Sequence, residues 1–146
     1  MRLLVVGDDP WTKWFVVREL KAGGYEVVEV ATAREAIAAV TQTKPHLIIL
    51  DRDPPDMDGM ELILEIRACA FTPIMVVSAR NAEEDLILAL DLGASDYVEK
   101  PFAVGEFLAR VRCCLRNAPA RLLRAPMTSS RMRDCSEHGR RPSAIG

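Results

Sequence analysis

The sequence predicts an α/β fold, a doubly wound five-stranded parallel sheet with helices on both faces. Three observations lead there. Short aliphatic runs, too brief for helices, recur along the chain, as in RLLVV, LIIL and IMVV. Longer segments with helical spacing separate them, and such alternation implies a parallel sheet with right-handed crossovers. The runs also stop at Asp, Ser or Lys, which places polar groups at the carboxyl edge of the sheet, where open α/β folds bind ligands. The expected strand order is 2-1-3-4-5, and no internal repeat is present.

The elements follow in order. Strand β1 is expected at residues 2–6 and stops at Gly7-Asp8-Asp9. Helix α1, residues 10–22, starts with Pro10 and carries Trp11, Trp14, Phe15, Val17 and Leu20 as its packing residues. Gly23-Gly24 ends it. Strand β2, residues 25–30, reads as an edge because Glu26 and Glu29 interrupt it. Helix α2, residues 33–41, has Thr32 as its cap and turns Ala36, Ile37 and Val40 inward. Strand β3 is the apolar run at residues 47–50, stopping at Asp51 before a turn that contains Pro54, Pro55, Asp56 and Gly59. Helix α3 is placed at residues 60–69, β4 at 74–77 ending at Ser78, and α4 at 82–92. Strand β5, residues 96–99, ends at Lys100-Pro101, and α5 occupies residues 104–115.

An aspartate where a buried strand ends can be a structural cap, a metal ligand or a nucleophile. The other strand ends bear on the choice, since together they offer carboxylates, a hydroxyl and an ammonium. That set suits an anion held by a divalent cation and a lysine. Magnesium takes one or two protein carboxylates and completes its shell with water and phosphate oxygens. An aspartate can also be phosphorylated directly.

These residues resemble the receiver domain of bacterial two-component response regulators over residues 1–116, in type, order and spacing together. The resemblance implies a flavodoxin-like receiver in which Asp51 is the phosphoacceptor, fed by a histidine kinase. It implies Mg2+ held by Asp8, Asp51 and the backbone carbonyl of Asp53, with Asp9 as a further candidate ligand. Ser78 and Tyr97 match the switch residues, Lys100 the lysine that grips the phosphoryl group, and Pro101 the proline preceded by a cis peptide bond. The fragments MDGMEL, SAR, GASDYVEKPF and LARVR are most similar to the receivers of the winged-helix DNA-binding subfamily.

One position departs from the pattern. Receivers carry two successive acids after the first strand, and the first of them is here Gly7. Its lost carboxylate is expected to weaken the outer-shell support of the metal, an effect of about 10-fold to 100-fold on affinity. On that expectation a Gly7→Asp variant binds magnesium more tightly. Asp9 either compensates or caps the helix that Pro10 begins.

The resemblance extends to the face formed by α4, β5 and α5, through which subfamily members dimerise. Asp96 and Arg110 match one charge pair used across such dimers, and Glu106 is retained although its usual basic partner is replaced by Leu86. Leu86, Ile87, Leu90 and Leu108 offer apolar contact in compensation.

Composition bounds the remaining classes. With 146 residues, 49% hydrophobic and 27% charged, the chain fits one globular domain. No apolar run is long enough to cross a membrane or to act as a signal peptide. Cys69, Cys113, Cys114 and Cys135 form no CxxC pair, so neither zinc nor a disulfide framework is expected, and a reducing cytoplasm is the simplest location. Residues 117–146 hold six arginines against two acids, a net of +4, which leaves −6 of the chain's −2 on residues 1–116. This tail, with three prolines and no apolar periodicity, reads as disordered and as too short for a winged-helix domain. Nucleic-acid binding by its arginines is the minor expectation. The main one is a phosphorylation-controlled signalling module, not an enzyme; the alternative is a receiver-like protein-binding module with weak magnesium binding.

Overall fold

The computed structural model of the chain describes residues 1–51, 55–79 and 82–119. Its strands are β1 (Arg2–Val6), β2 (Glu26–Val30), β3 (Leu47–Asp51), β4 (Ile74–Ser78) and β5 (Asp96–Glu99). Its helices are α1 (Val17–Ala22), α2 (Ala33–Thr43), α3 (Gly59–Cys69), α4 (Glu83–Leu92) and α5 (Val104–Arg116). All strand pairs are parallel, in the order β2-β1-β3-β4-β5. The fold class and strand order are as expected.

Strand alternation sorts the core into two layers. Leu4, Val6, Ile48, Leu50, Ile74 and Val76 face α2, α3 and α4. Their neighbours Leu3, Val5, Leu47, Ile49, Met75 and Val77 face α1 and α5, around Phe107 and Val111. Side chains that alternate across a pleat need a cover on both faces when both are apolar. β2 has an exposed-intermediate pattern, as its glutamates suggested for an edge.

Several boundaries differ from the sequence reading, each for a local reason. The expected α1 starts at Pro10 but is interrupted by a π-helical turn over Thr12–Val16 before regular helix resumes at Val17. α2 runs two residues further because Thr41 and Thr43 donate their hydroxyls to the carbonyls of Ala38 and Ala39. Lys44, with φ of 50°, then ends it in the left-handed region, and Pro45 cannot continue a helix. Thr32 caps α2 as expected, in a reciprocal capping box with Glu35. α3 starts one residue early because the Asp58 carboxylate accepts from Met60 N at 3.2 Å.

Cys114 is buried and Cys113 exposed, both as free thiols. Burial pushes the Cys114 thiol up to about 11, so it stays neutral, as suits a packing residue. Cys69 is disulfide-bonded, a bond that the cysteine spacing did not predict. Most of the tail, residues 120–146, also lies outside them. Among the described residues no helix is long and apolar enough to cross a membrane.

Candidate phosphoryl-transfer site

Strand register brings the chosen residues to one edge. Val6 pairs with Leu50, Asp51 with Val77, and Ser78 with Glu99. Gly7, Asp51, Ser78 and Lys100 therefore end four neighbouring strands at the carboxyl side. The Lys100 amide donates to the Ser78 carbonyl at 2.7 Å, carrying the pairing one residue past β5. Lys100-Pro101 is a cis peptide bond, as expected.

The Lys100 side chain turns across this edge. Its ammonium donates to Asp51 Oδ1 at 3.1 Å and to Asp9 Oδ2 at 2.9 Å. Both side chains are largely sheltered, Lys100 being 15% and Asp51 17% exposed, so solvent screens this pair less than a surface one. Asp9 also accepts a backbone bond from Lys13 N at 3.0 Å. Its backbone carbonyl thus accepts the first bond of the helix, while its carboxylate reaches Lys100. Asp8 is exposed beside it.

Gly7 has a steric role that the sequence comparison did not reveal. Its φ is +146°, and a Cβ built there would lie 2.6 Å from Asp51 Cβ. Its amide is held by the Val30 carbonyl at 3.0 Å. The backbone of β1 and the phosphoacceptor candidate approach closely because no side chain lies between them.

Ser78 is buried at the end of β4, and Tyr97 is buried on β5 within the core layer facing α4. Asp53 lies outside the described residues. Among the described residues no three acid, His or Cys side chains cluster as a metal cage. That is compatible with magnesium, which needs only one or two carboxylates. The edge also carries Asp8, Asp9 and Asp51 against Lys100, an excess of negative charge that suits a divalent cation.

On the α4-β5-α5 face, the expected intermolecular charges close within one chain. Arg110 Nη1 donates to Asp96 at 3.0 and 3.1 Å, and its Nε and Nη2 donate to Glu106 Oε2 at 3.2 and 3.0 Å. These hydrogen bonds, that to Asp96 first, raise the guanidinium pKa. Leu86, Ile87 and Leu90 are exposed along α4, and Leu108 is half-buried on α5.

Two functional contacts escaped sequence reasoning. Asp56 reaches from the loop after β3 to accept from Ala33 N at 2.7 Å and Arg34 N at 3.2 Å, a second cap on α2. Trp11 and Trp14, read as helix packing, are both exposed, and the Trp11 ring lies beside the Lys100 ammonium. Helical spacing could not reveal this contact, since Lys100 is far from Trp11 in sequence.

A parallel sheet whose carboxyl edge pairs a strand-end aspartate with a lysine defines an α/β domain with charged groups gathered where such folds bind ligands. The chain belongs to the response regulator receiver domain family, whose model matches residues 3–112. It is 42% identical over 118 residues to the KDP operon transcriptional regulatory protein KdpE of Escherichia coli K12, covering 81% of this chain and 52% of that protein. The chain spans about half the length of the curated relatives it matches. Among solved structures it is similar to the BeF3-activated receiver domain of Klebsiella pneumoniae RstA, with TM-score 0.77 and 31% identity over 80% of this chain and 100% of that one. It is also similar to the receiver domain of the Pseudomonas aeruginosa sensor histidine kinase PA1611, with TM-score 0.73 and 27% identity over 80% of this chain and 98% of that one. That domain holds a magnesium ion coordinated in its active site cleft.

Proposed function

We propose that Asp51 accepts a phosphoryl group from a phosphohistidine of a histidine kinase. The observation that supports it most is the Lys100 ammonium 3.1 Å from Asp51 Oδ1, at the edge where four strands end. An Asp51 oxygen attacks phosphorus, the P–N bond breaks as the new O–P bond forms, and the imidazole leaves with the bonding pair. Lys100 holds positive charge against the phosphoryl oxygens, which is the main demand of a transfer that needs placement more than covalent chemistry. Asp8, Asp51 and the Asp53 carbonyl are the residues that would hold Mg2+, with Asp9 as a further donor. When bound, the ion supplies charge neutralisation there.

The new oxygens draw the Ser78 hydroxyl toward Asp51, and Tyr97 moves into the vacated space. Those shifts bias the α4-β5-α5 face toward its active arrangement. Self-association through that face rests on the exposed Leu86, Ile87 and Leu90, because the Asp96, Glu106 and Arg110 charges are already paired within the chain. The role is that of a cytoplasmic signalling switch rather than an enzyme.

A small phosphodonor with magnesium tests the assignment. One phosphoryl group per chain is expected, lost on chelation and absent from Asp51→Asn. Equal labelling of wild type and variant overturns it, and no labelling of the wild type favours a receiver-like binding module instead.

A further inference from the structure

Lys100 is flanked by more than carboxylates. Its Nζ lies 5.5 Å from the centroid of the Trp11 ring, within the range over which an indole face attracts a cation. Trp11 is itself anchored. It stacks on Phe15 at 5.1 Å and meets Phe102 edge-on at 5.6 Å. Phe102, two residues after Lys100, stacks in turn on the fully buried Phe107 of α5 at 4.9 Å. The aromatic series thus runs from the buried layer on the α1 and α5 face to the mouth of the cleft, where Trp11 remains 38% exposed.

Trp11 has ordinary α-helical backbone angles and stands just before a turn that departs from α-helical geometry. The turn Thr12–Val16 follows Trp11 directly, and π-helical turns commonly re-aim side chains at functional sites. Asp9 approaches Lys100 from the same segment of chain. The ammonium is therefore bounded by Asp51, by Asp9 and by the indole. We infer that Trp11 is a positioning residue, holding the Lys100 ammonium toward Asp51 through its ring face and so speeding phosphoryl transfer. This rests on the proposal that Asp51 is the phosphoacceptor.

The mechanism is one of restricted motion. A lysine has four rotatable side-chain bonds and loses much freedom when held in place. The Asp9 and Asp51 oxygens hold Nζ by hydrogen bonds, and a ring anchored by two phenylalanines lies beside it without adding a competing charge. It also leaves the ammonium protons for oxygens, including those of an incoming phosphoryl group.

Two readouts on the full chain test this, one on the contact and one on its consequence. The Lys100 Hε protons, observed by carbon-proton NMR, should be shifted upfield by the indole ring current in the wild type. In Trp11→Leu they should move toward the values of a solvated lysine. With acetyl phosphate and magnesium, Trp11→Leu should be phosphorylated about 10-fold more slowly at subsaturating donor, and Trp11→Phe should recover most of the rate. Lys100 Hε shifts of solvated type in the wild type overturn the inference, whether or not any variant folds. A Trp11→Leu chain with altered shifts but an unchanged rate overturns it as well, and so does a Trp11→Phe chain as slow as Trp11→Leu. Failure of the wild type to label at Asp51 instead overturns the parent reading, and with it the role in transfer, while the NMR shifts still decide the contact.

Discussion

At the scale of single residues, Gly7 shows how an absence can mislead. Judged by residue type, it is a missing carboxylate, and restoring the acid should tighten magnesium. The structure gives a steric argument against that expectation, because a Cβ at position 7 would sit 2.6 Å from Asp51 Cβ at a φ of +146°. The backbone cannot easily yield, since the Gly7 amide is bonded to Val30 in the neighbouring strand. Gly7→Ala is therefore expected to destabilise the chain by about 1–3 kcal/mol, the scale of a residue forced into a sparsely populated backbone region. Urea denaturation followed by circular dichroism would measure this, and an unchanged midpoint would refute the close approach. Gly7→Asp should pay the same strain and gain no magnesium affinity, measured by calorimetric titration. Asp51 and Ser78 were legible as strand ends because each closes an apolar run, and Lys100 because it follows the short run that ends at Glu99. The contact between Trp11 and Lys100 was not, since it joins residues far apart in sequence.

At the scale of elements, strands were read more accurately than helix ends. A strand such as LIIL is delimited by its own aliphatic run and the polar residue that closes it. A helix end depends on hydrogen bonds that sequence spacing shows only when they are local. The Thr32-Glu35 box was visible in part for that reason, and the Asp56 cap on the same helix was not, since its partners lie more than 20 residues away. That long-range cap ties the loop after Asp51 to α2. Replacing Asp56 with Ala should cost about 1 kcal/mol, as for other caps, and should weaken the tie between Asp56 and α2. Its pH dependence has a definite sign. Burial raises the Asp56 pKa, but the Ala33 and Arg34 amides outweigh this and hold the carboxyl below its usual value. Its contribution is thus present above the unfolded carboxyl pKa, about 3.9, and is lost as pH falls through the lower folded value. The stability gap between wild type and Asp56→Ala should stay constant near neutrality and shrink below about pH 4, which denaturation series at several pH values would reveal. A gap that widens on acidification would show that the carboxylate is not the capping group.

At the scale of the whole molecule, the described residues close a complete two-layered core around the sheet. α5 ends at Arg116, and the helix is sealed slightly further on. Asn117 N donates to the Cys113 carbonyl at 3.2 Å, Asn117 Nδ2 to the same oxygen at 3.1 Å, and Ala118 N to Leu115 O at 3.3 Å. Carbonyls at a helix end need such partners, so cutting at 116 would fray the last turn beneath the buried Cys114. A chain ending at Pro119 keeps these bonds and every residue assigned to the site. It also removes a segment whose net charge is positive and whose sequence lacks the apolar periodicity of a docking element. We expect it to keep the melting temperature of the full chain within a few degrees, with both proteins fully reduced so that Cys69 is a thiol in each. Its rate of phosphorylation by a small donor should also be unchanged. Differential scanning calorimetry and a timed labelling series would check both. A melting temperature lowered by ten degrees or so would mean that residues beyond 119 complete the core, at a cost of roughly 2 kcal/mol for a domain of this size.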